Sequence, residues 1–319
     1  MAYNKKKAAE AKGMAQVEIL LAAYNGEAYV RAQLESILAQ TDARWHLTVS
    51  DDGSTDGTAA ILDEYAAKYP DRIARYCSGR RFGGARGHFL HLMSRCDAPY
   101  MLFCDQDDVW LPEKVGAMIE ALLRAESGDP DVPALVFSDL TPVDEDMRPI
   151  AASMMAYQNQ RTDGLDYRSL LMQNVVTGGA MGCNRALARL AGDVAGETDI
   201  LMHDGWLAAL AARFGRVAYI PKPLHLYRQH GNNSVGAQNV RSAGYVLGRL
   251  ASVRGVRETI LGKKRQAALF ARLYDDRLGP DDAAFLNGFT KSRSGPWFYW
   301  RNRRFIHGFW RMAGMMILG

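Results

Sequence analysis

From Val17 onward, short apolar runs alternate with stretches in which apolar residues recur every three or four positions. A strand buried on both faces reads as a continuous apolar run and a covering helix as an amphipathic one, so the alternation predicts βαβ units around a mainly parallel sheet. Residues 17–23 form the first expected strand. In residues 27–40, Val30, Leu34, Ile37 and Leu38 fall at helical spacing and would cover one face of that sheet. Residues 45–50 give a second strand, then a turn of Asp, Gly, Ser and Thr, then a helix carrying Ile61, Leu62, Tyr65 and Tyr69. A third strand is expected at 72–77. Gly83 and Gly84 open a helix to about Arg95, and residues 99–104 form an apolar strand that ends on Asp105. A helix from Pro112 and a strand near 135–138 follow. The pattern then loosens, with glycine-rich and strand-like pieces at 175–183 and 217–227, and beyond about Gly236 it is helical and basic.

Composition narrows this picture. A chain of 319 residues, 48% hydrophobic and 23% charged, is long and apolar enough for one large domain with an appendage. The expected division is a disordered lead at 1–15, an α/β domain at 16–235 and a helical, basic region at 236–319. The first thirteen residues carry charge with no apolar stretch of signal-peptide length after them, which argues against secretion. No window reaches the roughly 18 apolar residues of a spanning helix. Cys77, Cys96, Cys104 and Cys183 show neither a C-x-x-C pair nor zinc-ligand spacing, which fits a reduced, cytoplasmic chain. The net charge of +4 hides an asymmetry: residues 238–319 hold 15 Lys or Arg against 5 Asp or Glu, leaving 24 against 30 in the rest. The two parts are therefore expected to meet different partners, none of them nucleic acid.

Two acidic clusters carry the candidate chemistry. In open α/β sheets ligands bind beyond the carboxyl ends of strands. Asp51-Asp52 and Asp105 to Asp108 both sit at such ends and can share one crevice. The small residues of DDGSTDGT, residues 51–58, allow a ligand to approach the backbone and a helix N-terminus, although the same residue types serve any helix entry. FCDQDDVW, residues 103–110, crowds three carboxylates into four positions. A hard divalent cation, completed by phosphate oxygens and water, relieves such crowding. The blander reading is an acid-rich helix N-terminus with Asp108 as cap.

With these motifs on the page, the chain resembles a family 2 glycosyltransferase of the GT-A fold, in particular the bacterial rhamnosyltransferase-like members. The resemblance rests on LAAYNGEAYV (21–30), ESILAQT (35–41), VSDDGSTDGT (49–58), LFCDQDDVWLPEKV (102–115), VTGGAMGCNR (176–185), MHDGW (202–206) and YRQHGNNS (227–234). It implies a Rossmann-like mixed sheet flanked by helices. It further implies a nucleotide-sugar site of Ala23, Tyr24, Asn25, Asp52, Gly53, Asp105 and Gln106, with the loop around Tyr24 and Asn25 as its wall and Asp52 toward the base. Asp105 and Asp107 become a D-x-D pair for Mn2+ or Mg2+, with His230 on the metal or the diphosphate. Asp204 becomes the general base. The implied reaction is inverting transfer from a nucleotide-diphosphate sugar, dTDP-rhamnose or a UDP-hexose, to a hydroxyl of a glycan or lipid-linked glycan in cell-surface polysaccharide synthesis. Residues 175–227 would shape the acceptor side. Where many such members carry Asn-x-Gly and Asn-Phe, this chain has Arg81-Phe82-Gly83 and His88-Phe89, which leaves the donor sugar open.

The basic end interleaves Trp297, Phe298, Tyr299, Trp300, Phe305, Phe309 and Trp310 with Arg301, Arg303, Arg304 and Arg311. That mixture suits an anionic bilayer interface, and so a peripheral place on the inner face of the cell membrane. The alternative is a helical region that packs its aromatics on the α/β domain. Two other activities compete. A haloacid-dehalogenase-like phosphatase would use Asp105 and Asp107 in a D-x-D-x-V pattern, but its nucleophile belongs on the first strand. A non-catalytic, membrane-associated scaffold would keep the fold without the chemistry.

Overall fold

The computed structural model describes residues 17–230, 253–291 and 294–319. The lead at 1–15 and the boundary at 235–236 lie outside the described residues. The chain is α/β, with one eight-stranded mixed sheet in the order β3-β2-β1-β4-β7-β6-β8-β5.

The parallel part comes first in sequence. β1 (Val17–Ala23), β2 (Trp45–Asp51), β3 (Ile73–Tyr76) and β4 (Tyr100–Asp105) pair in parallel around β1. Alternate residues of each strand enter different cores, because successive side chains leave a strand on opposite faces. Ile19, Leu21, Leu102 and Cys104 pack with α1 (Val30–Leu38), α2 (Thr58–Lys68) and α4 (Lys114–Glu126). Leu20, Met101 and Phe103 pack on the opposite side with α3 (Ala85–Ser94). α1 is shorter than the apolar spacing of 27–40 predicts, since Gly26 to Tyr29 turn back to meet the loop after β2.

The second half adds antiparallel strands. β7 (Met181–Asn184) runs against β4 and β6 (Ala134–Val143), β8 (Arg216–Arg228) runs parallel to β6, and β5 (Val109–Trp110) closes against the end of β8. The acidic run 105–108 is therefore pinned at both ends by sheet pairing. Four helices were not anticipated by residue range: α5 (Met154–Tyr157), α6 (Tyr167–Met172), α7 (Arg185–Ala191) and α8 (His203–Phe214).

The C-terminal helices α9 (Val253–Leu273), α10 (Pro280–Thr290), α11 (Gly295–Arg301) and α12 (Phe309–Leu318) share the core that α3, α6 and α8 build. Phe270, Phe285, Phe289, Tyr299 and Phe305 lie inside it. A buried carboxylate stitches the join: Asp282 accepts from Tyr167 Oη at 2.7 Å and pairs with Arg168 at 3.1 Å and Arg213 at 2.6 Å. Two indoles stay outside. Trp297 is 69% and Trp300 45% exposed, and their rings stack at 4.8 Å. The side chains of Phe309, Trp310 and Arg311 lie outside the described residues. Among the described residues, no helix is long and apolar enough to cross a membrane.

Candidate active site

The loops after β1 and β2 are laced together by their own polar residues. Asn25, at φ 49°, gives its N–H to Ser54 Oγ and accepts from Thr55 N, both at 2.8 Å. Gly26 N donates to Thr58 Oγ1, and Glu27 accepts from Gly57 N. Gln106 closes the third side by a reciprocal pair, its Oε1 accepting from Tyr24 N at 2.8 Å and its Nε2 donating to Tyr24 O at 2.9 Å. Only glycine fits at 26, where a Cβ would stand 2.2 Å from Gln106 Oε1. Tyr24, Asn25 and Gln106 thus stand together, with Ala23 at the end of β1 and Gly53 in the loop after β2.

Asp52 has a more specific place. It is buried, and its carboxylate accepts from the backbone amides of Phe82 at 2.5 Å and Gly83 at 2.8 Å. It therefore holds the 80–84 loop, from which the Arg81 guanidinium covers the Tyr24 ring at 4.8 Å. Arg86 instead donates to the carbonyls of Thr198 and Ile200, tying α3 to the loop before α8. His88 is buried against Ser50 Oγ at 2.8 Å, and burial pulls its pKa down to about 4.

The acidic loop follows. Asp105 is partly buried, and desolvation together with the charges of Asp107 and Asp204 raises its pKa to about 7, opposed by Lys114 and the Gly179 amide. Asp107 lies 2.7 Å from His230 Nε2, whose ring stacks on Tyr29. Arg228 fixes the loop backbone by donating to Asp107 O at 3.1 Å. Asp108 does not cap α4, which begins at Lys114 behind Glu113. It is fully buried, with its pKa pushed well up by desolvation and by Asp107 and Asp105. Beside it lie buried His225, held neutral by burial, and buried Lys114.

Asp204 enters from the other half of the sheet. It sits in the first turn of α8, where Oδ1 accepts from Gly205 N at 2.5 Å and Asn174 Nδ2 at 3.1 Å. The Gly178 amide also binds it, yet desolvation dominates and raises its pKa to about 6. His203, one residue earlier, is packed between Phe89 and Phe103 with neither ring nitrogen hydrogen-bonded. It is core, not chemistry. Asp105 and Asp204, 99 positions apart in the chain, meet across the short helical turn Gly178–Ala180.

Residues 18–189 match the model of Glycosyl transferase family 2. The chain belongs to this family. The glycosyltransferase is 30% identical to dTDP-rhamnosyl transferase RfbG of Shigella flexneri over 230 residues, 68% of this chain and 74% of that one. Its fold is shared with the mannosyltransferase PcManGT of Pyrobaculum calidifontis, solved with GDP-Man and Mn2+ (16% identity, TM-score 0.54, 98% of this chain and 86% of that one). It is shared likewise with residues 1–349 of TarS from S. aureus, solved with UDP-GlcNAc (13%, TM-score 0.53, 94% and 88%). These two structures show the GT-A fold, and membership of the family, with a relative named a rhamnosyl transferase, favours neither the phosphatase with its use of Asp105 and Asp107 nor the scaffold.

Gln106 joins the acidic loop to Tyr24, and His230 joins it to the end of β8 through Asp107. Among the described residues, no group of three or more His, Cys, Asp and Glu side chains is arranged to hold a metal ion. The donors on offer are nevertheless the right type. Mg2+ and similar hard ions are commonly held by one or two carboxylates with substrate phosphates supplying the rest, and Asp105 and Asp107 provide that pair with His230 beside them. Desolvation, and after it the charges of Asp107 and Asp204, raise the pKa of Asp105, and a cation there would offset both. Sequence reasoning missed Asn174, Gly178, Gly179 and Lys114. The two glycines and Lys114 lay inside matching motifs, 176–185 and 102–115, without a role of their own.

Proposed function

We propose that this glycosyltransferase moves a sugar, rhamnose from dTDP-rhamnose or a hexose from a UDP-sugar, to a hydroxyl of a glycan or lipid-linked glycan, with inversion at the anomeric carbon. The observation that carries the reading is that Asp105 and Asp204 border one turn, since a Cβ on Gly179 would stand 2.7 Å from Asp105 Oδ2 and one on Gly178 3.9 Å from Asp204 Oδ2.

On the donor side, Tyr24, Asn25 and Gly53 wall the nucleotide, while Asp52 acts through the 80–84 loop that it holds and through any lone pair left to the base. Asp105 and Asp107 would hold Mn2+ or Mg2+, with His230 on the metal or the diphosphate. Bound there, the ion supplies Lewis-acid stabilisation of the departing diphosphate, worth several kcal/mol. Asp204 takes the proton from the attacking hydroxyl. Its raised pKa suits that task, since a base with a pKa near the working pH is both ionised and strong enough to accept a proton. Attack opposite the leaving group through an oxocarbenium-like state needs one such carboxylate. Asn174 orients it by the bond to Oδ1.

The exposed Trp297–Trp300 pair, flanked by exposed Arg301, Arg303 and Arg304, supports docking on an anionic membrane surface on the cytoplasmic side. A lipid-linked acceptor suits such a position.

The test is a panel of dTDP- and UDP-sugars scored for Mn2+- or Mg2+-dependent release of nucleoside diphosphate, followed by the anomeric configuration of the product. Inverted product is expected. Retention at the anomeric carbon, or turnover of none of the nucleotide sugars, would overturn the reading.

A further inference from the structure

We infer that Lys114 is a positioning residue for the transfer reaction: through the Gly178–Gly179 turn, its buried ammonium sets where Asp105 and Asp204 stand relative to one another. The inference rests on the proposed reading of those two carboxylates.

Lys114 opens α4, a place where lysine is ordinarily solvated, yet it is fully buried. Its Nζ donates to Gly179 O at 2.6 Å, lies 3.3 Å from His225 Nδ1 and stands 4.0 Å from the centre of the Trp110 ring. The ammonium thus has a carbonyl, an imidazole nitrogen and a π face around it. With Nδ1 as acceptor, the His225 proton resides on Nε2, which faces Asp108 Oδ2 at 3.4 Å.

The carbonyl that Lys114 holds belongs to Gly179, which borders Asp105, and the preceding residue, Gly178, borders Asp204: a Cβ on it would stand 3.9 Å from Asp204 Oδ2. One peptide turn therefore touches both reacting sides, and Lys114 is its anchor from below. The turn has no slack. A Cβ on Gly179 would stand 2.7 Å from Asp105 Oδ2 and 3.1 Å from Asp108 Oδ2, and one on Gly178 would stand 2.7 Å from His203 Nε2. A shift of the turn must move the carboxylates with it.

Stability does not account for the ammonium. Burying a charge is costly, and an apolar chain of similar length is often as stable or more so in such a place. Position does account for it, because a misplacement of about 1 Å between reacting groups costs on the order of 100-fold in rate.

The test compares the native chain with Lys114→Met and, independently, Gly179→Ala, which leaves the ammonium but drives a methyl into Asp105. Hydrogen exchange of residues 177–180 is read on each protein with no donor, alongside transfer kcat and the Kd for the nucleoside diphosphate with Mn2+. Lys114→Met is expected to speed exchange in the turn about tenfold and to lower kcat by about 10- to 100-fold, with Kd within about threefold. Gly179→Ala is expected to lower kcat at least as much. Exchange and kcat both within twofold of native in a folded Lys114→Met protein would overturn the inference, as would a Kd that weakens in step with kcat, or native kcat in Gly179→Ala. A native chain inert to every nucleotide sugar would sink the functional reading instead, and the exchange measurement would still decide whether Lys114 holds the turn.

Discussion

Replacing Asp204 by Asn separates catalysis from stability, because the two are expected to move in opposite directions. The native carboxyl is buried, and its pKa is raised from 3.8 to about 6 chiefly by desolvation. A shift of about two units corresponds to about 3 kcal/mol. The sign follows from proton linkage: a carboxyl whose folded pKa lies above its unfolded value favours the fold when protonated. Below about pH 4 both states are protonated and nothing is lost. Stability then falls as pH rises from about 4 to 6, and at pH 8 the ionised Asp204 costs the metal-free protein about 3 kcal/mol. Asparagine carries no charge and can keep Oδ1 for Gly205 N and Asn174 Nδ2, though the bond from the Gly178 amide is at risk, worth about 1 kcal/mol. Asp204→Asn should thus be about 2 kcal/mol more stable than native at pH 8 and about 1 kcal/mol less stable at pH 4. Melting curves of the metal-free proteins at the two pH values measure this as a crossing of Tm. Transfer should move the other way, falling by about 100- to 10,000-fold for loss of a general base, with donor affinity retained. In the native enzyme kcat should climb with pH to about 6 and level off above it, and metal loading should move that limb to lower pH. Transfer within threefold of native, or an Asp204→Asn protein that melts lower than native at pH 8, would refute the assignment.

Three further outcomes are expected. Chelation should abolish transfer and added Mn2+ or Mg2+ restore it, and Asp107→Asn should raise the metal concentration for half-maximal rate by at least about tenfold; an unchanged metal titration would remove Asp107 from the ligand set. Asp282→Ala should lower unfolding free energy by about 3 kcal/mol in urea, because Arg168 and Arg213 lose the buried carboxylate between them. Paired replacement of Trp297 and Trp300 by Ser should weaken sedimentation with anionic liposomes while leaving transfer to a soluble acceptor intact, and undiminished binding would locate docking elsewhere.

The parallel core was legible because its strands are buried on both faces, and such strands stand out as unbroken apolar runs: residues 17–23, 45–50 and 99–104 match β1, β2 and β4 to within a residue at each end. The chemistry was legible where carboxylates crowd at strand ends. Burial of single charges was not. Lys114 and Asp282 stand at helix starts, where charge is ordinarily solvated, and Asp108 in an acidic strand end; only contacts made far along the chain, with Gly179, Arg213 and His225, reveal them as interior groups. β5 escaped for a related reason, since two residues have no periodicity and exist as a strand only against Leu226 and His225. The aromatic tail divided between its two readings: Tyr299 and Phe305 pack on the domain, whereas Trp297 and Trp300 face outward.

The antiparallel entry of β7 explains how Asp204, so distant in sequence, comes to border the same turn as Asp105. β7 pairs with β4 through Tyr100 to Asn184 and Leu102 to Gly182, so the chain just before it, residues 178–180, must pass the carboxyl end of β4, where Asp105 stands. Packing holds this register as well as hydrogen bonding. A Cβ at Gly182 would come within 2.3 Å of Leu102 Cδ2 and 3.0 Å of Met101 O, so only glycine lets β7 lie this close to β4. A parallel strand in the same position would bring its own carboxyl end to that crevice and carry the preceding turn away to the opposite edge. Reversing one strand therefore brings Gly178 beside Asp204 and Gly179 beside Asp105 together, and it leaves α8 to supply Asp204 from the other half of the sheet without altering the loops after β1 and β2.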